Sequence, residues 1–139
     1  MAYKYVVHTE IMDAKNFLNE VEVVITVLKK NAIEQVDMLY GWSWGDWKPF
    51  KIGVSDIVSH IKKQEYTTQK GFVGNDVYLV LTNPEIEVLF CHEEDIHISF
   101  SEANKITDDI IDGWKGKRLM HSVKENDEDI PWENHNKSD

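Results

Sequence analysis

Phe17, Leu18, Val21, Val24, Ile25 and Leu28 recur at steps of three and four residues. That spacing predicts a helix over 13–30 with one apolar stripe. Asp13 stands where a side-chain oxygen caps a first turn, Lys29 and Lys30 suit the C-terminal dipole, and Asn31 suits a stop. From Glu34 to Trp44 the period changes to two. Val36, Met38, Tyr40, Trp42 and Trp44 fall on one side, and Gln35, Asp37, Leu39, Gly41 and Ser43 on the other. This predicts a long strand with one buried face, ended by a turn at Gly45-Asp46. The Tyr- and Val-rich run over 3–9 predicts a first strand.

Ser55 is placed to cap a short helix through Lys63 that turns Ile57, Val58 and Ile61 inward. The polar stretch 65–75, with Gly71 and Gly74, reads as a loop. Strands over 77–81 and 86–91 flank an Asn83-Pro84-Glu85 turn. After a polar bend over 92–95, Ile96, Ile98 and Phe100 alternate with His97 and Ser99, which completes a three-strand antiparallel meander. A last helix over 101–114 carries Ala103, Ile106, Ile110, Ile111 and Trp114 on one side. Ser99 and Glu102 have capping-box spacing, and Gly113 and Gly116 stand near the stop.

Helices and strands in this order predict an α+β fold: an antiparallel or mixed sheet of about four to five strands against two longer helices and one short one. The chain of 139 residues suits one domain, here residues 1–120, followed by an acidic, flexible C-terminal tail over 121–139. With 42% hydrophobic and 11% aromatic residues, disorder throughout is excluded. The single Cys91 excludes an internal disulfide framework and fits a reducing compartment. The N-terminal MAYKYVVHTE lacks a long apolar core and a small-residue cleavage site, and the apolar run over 21–28 is too short to span a membrane. A cytoplasmic protein with no membrane partner is the expectation.

The net charge of -10 is uneven. Residues 1–75 balance, residues 76–112 hold ten acids against Lys105 alone, and 113–124 hold only Lys115, Lys117, Arg118 and Lys124 as charged groups. Such a field steers a basic partner and argues against a dedicated nucleic-acid binder. A nucleic-acid patch would have to be built from Lys48, Lys51, Lys62, Lys63 and Lys70. The group Lys115, Lys117 and Arg118 instead suits neutralisation of the tail or of the last helix's end.

Candidate chemistry is sparse. His92-Glu93-Glu94-Asp95-Ile96-His97 is the densest polar cluster, with groups able to move protons or hold Zn²⁺. Its spacing is not the helical His-Glu-x-x-His pattern, and on a continuous strand His92 and His97 point to opposite sides. Cys91 beside His92 lacks an orienting third group and shares parity with Leu89, opposite Val88 and Phe90, so it reads as a small buried hydrophobe. Trp42 and Trp44 follow the buried face of their strand, whereas Trp47 beside Asp46 is the best exposed aromatic candidate. Asp108, Asp109 and Asp112 lie on the last helix, where Asp108 and Asp112 repel at a spacing of four. No Walker, Rossmann or nucleophile-elbow pattern is present, and no cofactor or metal ligand set is assigned.

In size, concentrated acidity and Trp-bearing α+β pattern, the chain resembles the small acidic immunity proteins of bacterial polymorphic toxin systems. The resemblance covers the body of the chain without a diagnostic motif, and implies a non-enzymatic module that blocks a basic toxin domain by occlusion. On that reading the contact residues are Asp46 and Trp47; Glu93, Glu94 and Asp95; and Asp108, Asp109 and Asp112. Two other readings stay open: a small enzyme or metal-binding protein using the cluster from His92 to His97, and a self-associating accessory protein.

Overall fold

The first helix forms where its stripe predicts. α1 spans Ala14–Lys30, and the Asp13 carboxylate accepts the Asn16 N–H at 2.8 Å. At the other end the Asn31 N–H donates to Val27 and Leu28 carbonyls. Phe17, Val21, Val24, Ile25 and Leu28 are buried along one side. The computed structural model describes residues 3–40, 49–64, 66–67, 71–72, 76–91, 93–117 and 120–125.

The strands are β1 (Tyr5–Thr9), β2 (Gln35–Tyr40), β3 (Phe50–Gly53), β4 (Tyr66–Thr67), β5 (Gly71–Phe72), β6 (Val77–Thr82), β7 (Glu85–Phe90), β8 (Ile96–Phe100) and β9 (Met120–Glu125). The other helices are α2 (Ile57–Gln64), entered through a 3-10 turn at Val54–Asp56, and α3 (Lys105–Lys117). Among the described residues, seven strands form one sheet in the order β3-β2-β6-β7-β8-β1-β9, every pairing antiparallel, and β4 and β5 form a separate ribbon. β1 and β2 run the same way with three strands between them. α1 therefore crosses over the sheet's centre, and α3 makes a second crossover from β8 to β9.

The α+β class and the 77–100 meander agree with the sequence pattern, and several details differ from it. The sheet has more strands than expected because β3 is only four residues long and β9 is polar, as an outer strand can be. β9 takes residues 121–125 out of the anticipated tail and pairs them with β1. The stretch expected to be a loop contains β4 and β5. Ser55 lies within the 3-10 turn instead of capping α2. α3 starts four residues later than expected, with Asn104 Oδ1 accepting the Thr107 N–H at 2.9 Å. It also ends three residues later, at Lys117, passing through Gly116 as well as Gly113.

One face of the sheet packs on the helices. Val7, Val36, Met38, Leu79, Val88, Phe90 and Ile98 join α1, Ile57 and Ile61 of α2, and Trp114 of α3 in the main core. The opposite face carries Val6, Tyr78, Leu89 and Cys91, all buried, with His8, Glu87, His97 and Ser99 on the same parity. Cys91 thus groups with Leu89 against the Val88 and Phe90 side, as its parity predicts.

Candidate functional site

Two connections meet at one end of the sheet. The β7–β8 connection folds back on itself: the Cys91 N–H donates to Asp95 O and the Glu94 N–H to Cys91 O, each at 2.9 Å. Glu94 takes a positive φ of 70° to close it. The β1–α1 connection is held against it, because the Met12 N–H donates to Glu94 O at 3.0 Å. Thr9 provides the second tie. Its buried Oγ1 accepts the Ile96 N–H at 3.0 Å and donates to Glu10 O at 2.9 Å.

Thr9→Val should leave the buried Ile96 N–H without its acceptor while changing little in shape. A loss of about 1–2 kcal/mol is expected in urea unfolding, with Thr9→Ser close to the parent. A Thr9→Val variant as stable as the parent would remove this tie from the account.

The fold-back brings three side chains together on the second face of the sheet. His8 and His97 are direct cross-strand neighbours, with ring centroids 4.9 Å apart and planes inclined by 18°. The His97 Nε2–H donates to Asp95 Oδ2 at 2.8 Å, and the His8 Nδ1–H donates to Thr9 O at 3.0 Å. Asp95 is only 8% exposed. Burial pushes its carboxyl up, but the hydrogen bond and charge of His97, the Cys91 thiol and the charge of His8 together hold it below the ordinary carboxylate value. Beside it, burial pushes the Cys91 thiol far up, which keeps it protonated and a poor nucleophile. A cleft of about 370 Å³, lined by His8, Thr9, Glu10, Ile11 and Asp95, opens onto this group.

Among the described residues, the rim of this end carries several acids. Glu10, Asp13 and Glu93 are exposed and Glu94 is half-buried; burial and the Asp13 carboxylate push the Glu94 carboxyl up. Ile11, at 69% exposure, is the one exposed large hydrophobic among the described residues.

The anticipated contact residues are therefore redistributed. Glu93 is exposed, Glu94 is half-buried with its Oε2 enclosed, and Asp95 is a buried partner of His97. The expected opposition of His92 and His97 assumed a continuous strand, which the fold-back interrupts; His92 lies outside the described residues. So do Asp46 and Trp47, with Trp42 and Trp44. Asp108 and Asp112 are exposed on α3, but Asp109 bonds Lys105 Nζ at 3.0 Å and Asn31 Nδ2 at 3.3 Å. Those bonds, with Lys105 first, hold its carboxyl below the ordinary value. Asn31 and Asp13 terminate opposite ends of α1, roughly 27 Å apart at the helical rise per residue. Asp109 thus belongs to the far end of the domain and does not join the Glu93–Glu94 patch. Of the basic candidates, Lys51 pairs with Asp37 at 3.1 Å, and Lys117 reaches Glu20 of α1 at 2.8 Å instead of its own helix end.

No sequence pattern marks His8, Thr9, Glu10 and Ile11 as site residues. Their place depends on β1 pairing with β8, and no local pattern encodes that pairing.

Comparison with protein-family models, curated proteins and solved structures finds no match to the chain. Among the described residues no helix is long and apolar enough to cross a membrane.

Proposed function

We propose that this chain is a non-enzymatic protein-binding module that engages a basic protein through the end of the sheet formed by residues 10–13 and 93–94. The observation that carries the reading is an exposed aliphatic side chain, Ile11, next to Met12, whose backbone bond to Glu94 brings the connection bearing Asp13 against the one bearing Glu93 and Glu94. An apolar group with exposed acids on the two connections beside it, among the described residues, suits a partner with Lys and Arg around a small hydrophobic pocket. The acids steer the encounter, and the anchor supplies desolvated contact. The resemblance to immunity proteins of toxin systems fits this chemistry, and blocking a basic toxin domain by occlusion is the activity proposed.

Native co-purification from the source cell, followed by calorimetry with the recovered partner, tests the reading. A basic protein is expected. Glu93→Lys with Glu94→Lys should weaken the complex roughly 100-fold by placing like charges together, and Ile11→Ala roughly tenfold. Asp108→Lys, at the other end of the domain, should leave affinity unchanged. Unaltered affinity in the Glu93/Glu94 and Ile11 variants would reject this surface.

A further inference from the structure

We propose that His8, Asp95 and His97 form a binding site for a transition-metal dication of the Zn²⁺ class. One ligand atom from each of the three side chains can be chosen so that all lie within 4.8 Å of one another. Two imidazoles and one carboxylate are a donor set that Zn²⁺ accepts with a fourth position left for water or another ligand. Tetrahedral coordination needs ligand atoms roughly 3.3 Å apart at bond lengths near 2.0–2.1 Å, so modest side-chain rotation closes the set. The ion would take the place of the proton shared by His97 Nε2 and Asp95 Oδ2.

Three features favour binding over a chance cluster. His8 and His97 project from paired strands in fixed register, and Asp95 sits on the tight fold-back, so little ordering remains to be done. The His8 Nδ1–H already donates to the Thr9 carbonyl, an outer-shell bond that orients a ligating imidazole and directs Nε2 away from that carbonyl. The cleft that reaches His8 and Asp95 provides an entry path and room for the remaining ligand. A competing set, Cys91, Glu93 and Asp95, shares the carboxylate but requires ionising a buried thiol next to it.

The test is Zn²⁺ titration of the untagged, chelator-treated full chain by calorimetry, with Mg²⁺ as control. One Zn²⁺ per chain is expected with a Kd of roughly 1 μM or below, and no comparable Mg²⁺ binding. His8→Ala and His97→Ala should each weaken binding at least ~10-fold. Cys91→Ser and His60→Ala should not. Absence of stoichiometric Zn²⁺ binding, full affinity in both histidine variants, or loss in Cys91→Ser would overturn the assignment. Circular dichroism establishes that each variant is folded. If a histidine variant is not, the Co²⁺ spectrum of the parent decides: a tetrahedral spectrum without a thiolate charge-transfer band upholds the site, and a thiolate band rejects it. This inference is separate from the docking surface, since a chain that fails to bind Zn²⁺ leaves the Glu93/Glu94 result untouched.

Discussion

Trp114→Ala should destabilise the domain by about 3–5 kcal/mol, the range for emptying a large aromatic site in a core. Trp114 is only 1% exposed and heads the fully buried side chains by volume. It extends the Ile106–Ile110 row of α3 into the core shared with α1 and the sheet, so its removal opens a cavity where several elements meet. Domains of this kind have only about 5–15 kcal/mol in total, so the loss takes a large share. Its indole N–H has no hydrogen-bond partner among the described residues, which makes volume the dominant contribution. Trp114→Phe should therefore cost less than half as much. Urea unfolding of the two variants checks both the size and the order; a Trp114→Ala loss below about 1 kcal/mol would contradict the packing.

The contrast with the glycines beside Trp114 shows where sequence reading succeeds. Periodicity located α1, its caps at Asp13 and Asn31, and the 77–100 meander, because each rests on contacts within a short window. The end of α3 is less legible: the apolar pattern stops at Trp114, with Gly113 and Gly116 near it, whereas the helix continues to Lys117, whose ammonium bonds Glu20 of α1. β9 leaves little sequence signal for a related reason. Its polar sequence becomes a strand by completing the backbone pairing of β1, a tertiary cause with little local trace.

The candidate site divides along the same line. Asp95 and His97 are close in sequence and stood out as a polar cluster. His8 joins them only through the β1–β8 register, and Ile11 only through the bond from Met12 to Glu94. The sequence pattern showed that charge was concentrated in 76–112, yet topology separates those acids. The Glu94 carbonyl is tied to Met12 beside Ile11, Asp95 turns to a histidine, and Asp109 serves the far end of α1.

Lys117→Met should cost about 2–3 kcal/mol, and Glu20→Met much less, although both break the same ion pair. Glu20 lies on the buried stripe of α1 at 6% exposure, three residues after Phe17 and four before Val24. Its Oε2 accepts from Lys117 Nζ at 2.8 Å, while Oε1 has no hydrogen-bond partner among the described residues. Removing the lysine strands a carboxylate in an apolar setting. The full cost of orphaning a buried charge is about 3–5 kcal/mol, and it is reduced here because the lysine side chain is 45% exposed and its field is screened. Removing the carboxylate instead lets the lysine return to water and places an apolar side chain on an apolar stripe. The double variant Glu20→Met/Lys117→Met should consequently recover most of the stability lost by Lys117→Met alone, a coupling that urea unfolding of all four proteins measures directly. Equal losses in the two single variants would mean that Glu20 is solvated, and that α3 is not fastened to α1 by a partly buried charge.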